Sequence, residues 1–255
     1  MIFSSTNKAT VLVVDDEPIN IEVLATLLSR EYQVKVASSG LMALDIARRE
    51  PQPDLILLDI MMPGLDGFEV CRQLKMSPKT QDIPVIFVTA AGAKSEGESL
   101  MLGAVDYISK PINKLATELR VRTHIQLART QKNLQQNLAF LFSMIENLPL
   151  AIFVLSLNRQ WLYINRPGRR IFECENVEEL KQVDPLSLID EHDREHFDAA
   201  NQRIIQGESE CENLDLQIVG KNSHRSHLDL RLSAVKNPEG KVIAMQGIAI
   251  DIARI

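Results

Sequence analysis

Five side chains that could serve one reaction lie scattered between positions 15 and 110. Asp15 and Asp16 stand in "VLVVDDEPIN", Asp59 in "LILLDIMMPGLDG", Thr89 in "IPVIFVTA" and Lys110 in "AVDYISKPI". Taken singly, an aspartate after an apolar run is ordinarily a turn residue or a helix cap. Taken together, three carboxylates, a hydroxyl and an ammonium form a set suited to phosphoryl transfer. Three carboxylates do not stay close and ionised without a cation, because like charges raise one another's pKa. Mg²⁺ is the natural partner, a hard, oxygen-seeking ion that keeps several waters. Asp59 then acts as nucleophile and forms an acyl phosphate. The lysine, the hydroxyl and the ion hold the transferred oxygens, and such positioning and charge neutralisation is most of what phosphoryl transfer requires.

Such a set works only if the chain brings it to one place. Apolar, strand-like runs at 10–14, 33–37, 54–58, 83–89 and 104–108 alternate with the stretches "PINIEVLATLLSR", "GLMALDIARRE", "GFEVCRQLK" and "GAKSEGESLMLG". Continuous apolar strands separated by amphipathic helices predict a parallel sheet covered on both faces. The expected fold is an α/β doubly wound, five-stranded parallel sheet over residues 1–125. All five candidates then fall at the carboxyl ends of strands, where ligands bind in such sheets.

From Pro111 the pattern changes. The stretch from Ile112 to Leu148 holds no Gly or Pro, and helix formers dominate it. A long helix over 112–148 is expected, continuing the last helix of the sheet domain. Leu127, Leu134, Leu141 and Leu148 recur every seven residues, with Gln131, Leu138 and Ile145 at the alternate position. That repeat fits a two-stranded parallel coiled coil through 127–148, with Gln131 fixing register. The alternative is one amphipathic helix packed on its own domain. Pro149 ends the helix.

Residues 149–255 read as an α+β domain with an antiparallel sheet. Two strand-like runs come first, then a polar, mostly helical stretch at 166–206, then runs at 212–220, 226–235 and 241–252. In the fourth run Leu228, Leu230 and Leu232 should face inward and Asp229 and Arg231 outward. Trp161 and Tyr163 alternate and are expected to share a face, packing a core or an interface. His192 and His196 are four apart, which could place both on one helix face as metal ligands; in so charged a segment, solvated histidines are the simpler reading. His224 and His227 read as surface residues.

The formal net charge is −6, and hydrophobic residues make up 45% of the 255. Nothing in that balance invites nucleic acid or an anionic membrane. The basic residues Lys110, Lys114, Arg120, Arg122, Arg129 and Lys132 face one acid, Glu118, within 110–133, but no helix-turn-helix follows. No run of about 18 apolar residues offers a membrane span. Three scattered cysteines, Cys71, Cys174 and Cys211, suggest a cytoplasmic protein without a disulfide frame.

The motifs "VLVVDDEPIN", "DLILLDIMMPGLDGFEV", "IPVIFVTA" and "GAVDYISKPI" resemble the receiver domains of two-component response regulators, over about residues 8–125. That resemblance implies Asp59 as phosphoacceptor, Asp16 and Asp15 as Mg²⁺ ligands (the latter largely through water), and the Met61 carbonyl as a further ligand. It implies Thr89 and Lys110 on the phosphoryl group, and Tyr107 as the switch aromatic. Met61 and Ala91 stand at positions that tune the lifetime of the phosphoryl group. Residues 138–255 resemble a PAS domain through "ENLPLAIFVLSLNRQWLYINRPGRRIF", "DPLSLIDEHDREHF" and "KVIAMQGIAIDI". No cysteine stands where flavin-binding light sensors carry one, so an empty pocket or an apolar metabolite is expected. The expected function is a two-component signalling module. A sensor histidine kinase or phosphotransfer protein is the donor, and a parallel homodimer forms through the helix and PAS domain. A histidine kinase or diguanylate cyclase effector would follow the chain. The alternative is a stand-alone, phosphorylation-dependent adaptor. Turnover of an external phosphoester is not expected, because Met61 stands where a second acid would be needed.

Overall fold

A computed structural model describes residues 8–90, 102–220 and 225–252. The chain divides into two compact units, Met1–Gln136 and Asn137–Ile255. Among the described residues of the first, five strands form one sheet: β1 (Thr10–Val14), β2 (Gln33–Ala37), β3 (Leu55–Asp59), β4 (Val85–Ala90) and β5 (Asp106–Lys110). Their order is β2-β1-β3-β4-β5, and every pairing is parallel.

The continuous apolar runs are explained by burial on both faces. Val11, Val13, Leu55, Leu57, Ile86 and Val88 belong to one core cluster. It includes Leu24 and Leu28 of α1 (Pro18–Leu28) and Val121 and Ile125 of α4 (Lys114–Asn147). Leu12, Val14, Ile56, Leu58 and Phe87 belong to the other. Residues of α2 (Gly40–Arg48) and α3 (Gly67–Met76) complete that cluster, among them Ala43, Leu44, Val70 and Leu74. The chain leaves β1 toward β2 and then crosses to β3 on the other side. That reversal opens a crevice at the carboxyl ends of β1 and β3. The strand ends run later than the sequence pattern suggests, so Asp59 and Lys110 are the final residues of β3 and β5. Ala91 and the stretch "GAKSEGESLM" (92–101) fall outside the described residues.

α4 is a single helix of 34 residues, starting two residues after Ile112. Thr117, Val121 and Ile125 are its buried residues, and every residue from 129 to 144 is exposed. The basic residues along its first half are largely engaged. Arg120 pairs with Asp106, Arg122 with both carboxylate oxygens of Glu31 at 2.9 and 3.2 Å, and Arg129 with Asp54 at 3.5 Å.

The second unit is an antiparallel sheet ordered β7-β6-β10-β9-β8. Its strands are β6 (Ala151–Ser156), β7 (Trp161–Ile164), β8 (Cys211–Val219), β9 (Arg225–Lys236) and β10 (Val242–Asp251). Between β7 and β8 the stretch 166–206 is less helical than its composition suggests. It holds the short α5 (Arg166–Ile171), two 3₁₀ turns and α6 (Arg194–Gln206). Leu228, Leu230 and Leu232 are buried and Asp229 and Arg231 exposed, as the alternation requires.

Trp161 and Tyr163 do not share a face. The β6–β7 register shifts between Val154 and Leu155, so Trp161 pairs with inward-facing Leu155 and Tyr163 with outward-facing Val154. A one-residue irregularity of this kind flips the side chains that follow it. Trp161 is buried against Phe153 and Phe172, with ring centroids 5.5 and 5.1 Å away, and its indole N–H donates to the Val183 carbonyl at 3.0 Å. These rings leave an apolar void of about 20 Å³. The His192/His196 pairing also fails: His192 precedes the helix, whose N-cap is Asp193, and its ring meets Asp190 at 3.2 Å. His227 pairs with Asp215 across β8 and β9, and His224 lies outside the described residues.

Candidate functional site

At the crevice, backbone geometry delivers the acids. β1 ends at Val14, and the next two residues are Asp15 and Asp16, with α1 starting at Pro18. β3 carries Asp59 to its end. Gly64 then turns the chain with φ +80, and Gly67 begins α3 so close that an added Cβ would lie 2.2 Å from the Asp59 carbonyl oxygen. Only glycine permits that approach. Met61 stands two residues beyond Asp59, its side chain 78% exposed.

The carboxylates of Asp15, Asp16 and Asp59 each offer an oxygen within 4.8 Å of the others. Lys110 reaches between two of them, its Nζ donating to Asp15 Oδ2 at 2.9 Å and to Asp59 Oδ1 at 3.1 Å. Asp15 is fully buried and accepts at Oδ1 from the Glu17 amide at 2.9 Å and Asn20 Nδ2 at 3.0 Å. Asn20 went unnoticed in the sequence; a polar residue in the first turn of a helix is too common to stand out.

Burial is the main cause that raises the Asp59 pKa, and nearby Asp15 adds to it; Lys110 pulls the other way. Burial also works against the charge on Lys110, but its hydrogen bonds to Asp15 and Asp59 outweigh that, and its pKa is raised. The result is a dense negative centre with one cation already inside it. Its donors are all hard oxygens, the set that Mg²⁺ selects.

Thr89 is buried near the end of β4, one residue beyond Val88, which pairs with Asp59. Its hydroxyl donates to the Ala90 carbonyl at 3.3 Å, so it lies near the cluster without joining it. Tyr107 lies on β5 under the Arg120 guanidinium, 5.8 Å from the ring centre. Arg120 and His124, one turn apart on α4, both hold Asp106, the latter at 3.1 Å. Burial disfavours the Asp106 charge, yet Arg120 leads a set of hydrogen bonds that hold its pKa below the ordinary value.

The family model for the response regulator receiver domain matches residues 11–122, and the one for the PAS fold matches residues 145–254. The chain is a receiver domain followed by a PAS domain. Together they make it a two-component signalling module. A Vibrio cholerae protein named as a probable cyclic di-GMP phosphodiesterase is 42% identical over 132 residues, which are 51% of this chain and 30% of the relative. The response regulator PleD of Caulobacter vibrioides is 45% identical over 117 residues, 45% of this chain and 26% of PleD. Both alignments cover the receiver region alone, and the chain spans less than a third of either relative's length. Among solved structures, the receiver domain of the Pseudomonas aeruginosa sensor histidine kinase PA1611 is described with a magnesium ion coordinated in its active site cleft. It is similar over 46% of this chain and 98% of its own, at 29% identity and a TM-score of 0.43. No helix among the described residues is long and apolar enough to cross a membrane.

Proposed function

We propose that the receiver accepts a phosphoryl group on Asp59 from a histidine kinase or phosphotransfer protein and passes the change along α4 to the PAS domain. The observation that carries this reading is Lys110 bridging Asp15 and Asp59. Asp15, Asp16, Asp59 and the Met61 carbonyl would hold Mg²⁺, which when bound neutralises charge on the transferred oxygens. An Asp59 carboxylate oxygen attacks phosphorus. The new P–O bond forms as the bond to the donor breaks, and its electron pair leaves with the donor atom. Lys110 then exchanges a carboxylate for a phosphoryl oxygen, and Thr89 turns its hydroxyl from the Ala90 carbonyl to another. The product carries about −1.5 to −2 charges and strong acceptors, enough to draw Thr89 and the end of β4 toward it.

That movement reaches β5, where Tyr107 stacks on Arg120 and the neighbouring Asp106 is held by Arg120 and His124. Both basic residues belong to α4, so a change at the switch strand bears directly on the long helix. The helix runs unbroken from Lys114 to Asn147. Its heptads support a parallel homodimer through 127–148, in which receiver state sets helix rotation or register. The name of the Vibrio cholerae relative favours an output in cyclic di-GMP metabolism, with a coupled histidine kinase as the other effector. In this reading the chain's own chemistry is confined to gaining and losing one phosphoryl group. Incubation with acetyl phosphate and Mg²⁺ tests it by intact mass: wild type should gain one phosphoryl mass and Asp59→Asn none. A wild type that stays unlabelled under conditions that label another receiver contradicts the proposal.

A further inference from the structure

The heptad seam leaves part of the apolar surface of α4 unexplained. Leu138 and Leu141 occupy the seam, 47% and 52% exposed. Phe140, Phe142 and Met144 lie off it, 54%, 55% and 50% exposed. With Leu141 and Leu148 at d, Phe142 takes position e, Met144 g and Phe140 c. The helix is therefore apolar over far more of its circumference than a two-stranded coil buries.

One flank is already committed within the PAS unit. Phe142 at e packs on Tyr163, with ring centroids 6.4 Å apart. One turn on, Glu146 accepts from the Tyr163 hydroxyl at 2.8 Å, the Arg166 amide at 3.0 Å and Arg169 Nη2 at 3.0 Å. The PAS domain thus sits on the e flank of its own helix. Phe140 and Met144 are also one turn apart and form a ridge on the opposite flank.

In a parallel two-stranded coil, the g flank of one helix lies beside the e flank of the other. The e flank of the other chain is where that chain's PAS domain sits. This reasoning rests on the homodimer proposed above. We infer that Phe140 and Met144 of each chain pack against the PAS domain of the other, on its edge strand β7. The contact point is the partner subunit's Leu162, beside the tyrosine that grips the partner's own helix. Leu162 is 54% exposed in the single chain, on the outermost strand of the PAS sheet. Each helix then bridges two PAS domains, and a helix that rotates shifts both at once.

Disulfide trapping separates this inference from the dimer itself, using full-length chains carrying Cys174→Ser and Cys211→Ser. Leu138→Cys chains should cross-link to one another, because position a meets its own counterpart across the seam. Mixed chains, one bearing Met144→Cys and the other Leu162→Cys with distinct tags, should cross-link only to each other. If Leu138→Cys links and the mixed pair does not, the domain contact is wrong while the dimer stands. If neither links and sedimentation finds a monomer, both fall. As a second measurement, Phe140→Glu with Met144→Glu should weaken dimerisation by tenfold or more; an unchanged dissociation constant overturns the inference.

Discussion

Lys110 Nζ lies 2.9 Å from Asp15 and 3.1 Å from Asp59, an ammonium shared by two buried carboxylates at the ends of neighbouring strands. The ammonium offsets the repulsion between the two acids and stands where a phosphoryl oxygen on Asp59 would need a cation. Lys110→Ala should therefore leave the fold intact by circular dichroism and slow labelling by acetyl phosphate about 10²-fold, the usual cost of losing one such charge stabiliser. Labelling at the wild-type rate would remove Lys110 from the chemistry.

Asp106 ties β5 to α4, and its carboxyl is held below the ordinary aspartate value of 3.8. A group depressed in the folded state stabilises fully above its unfolded pKa, and that stability is lost as pH falls through the folded value. Arg120 is 42% exposed, so screening limits the gain to about 1 kcal/mol. Denaturant melts should find Asp106→Asn less stable than wild type by roughly that amount at pH 7. The gap should close only as pH drops below the ordinary aspartate range. A gap independent of pH would mean that the lost charge is not the cause.

Asn165 is fully buried, and its side chain makes four hydrogen bonds that tie the end of α4, the start of the PAS sheet and the first turn of α5 together. Its Nδ2 donates to the carbonyls of Ile145 and Leu150, both at 2.9 Å; its Oδ1 accepts from the Ile152 and Gly168 amides at 2.8 and 3.0 Å. Asn165→Ala strands several buried groups and should cost about 3 kcal/mol. Faster hydrogen exchange should be concentrated around residues 145–152. Uniform loss across the PAS domain would deny it a special role at the junction.

Gln131 is the one polar residue among the seam positions from Leu127 to Leu148. In a parallel dimer its replacement by leucine exchanges register specificity for affinity. Sedimentation equilibrium should find Gln131→Leu associating about tenfold more tightly than wild type, or forming higher oligomers. A monomer in both proteins would refute the seam.

The first domain was legible because β1, β3 and β4 are buried on both faces and so print as apolar runs, with Asp15, Asp59 and Thr89 at or beside their ends. Asp59 and Lys110 could be placed near strand ends from the alternation of strand-like and helix-like stretches, although both strands run on to include them. The second domain was legible in outline. The shift beside Leu155 was not, because one extra residue in a short strand leaves no mark on composition, yet it sends Trp161 into the core and Tyr163 to the helix. Nor could the basic residues of α4 be recognised as engaged, since Glu31, Asp54 and Asp106 are remote in sequence from Arg122, Arg129 and Arg120.

A phosphoryl group on the Asp59 carboxylate can be trapped in place. After treatment with acetyl phosphate and Mg²⁺, borohydride reduction converts an aspartyl phosphate to homoserine, which peptide mass spectrometry can locate. Homoserine should appear at position 59 and at neither 15 nor 16, with none in Asp59→Asn. Homoserine at another aspartate, or a labelled Asp59→Asn chain, would contradict Asp59 as the acceptor.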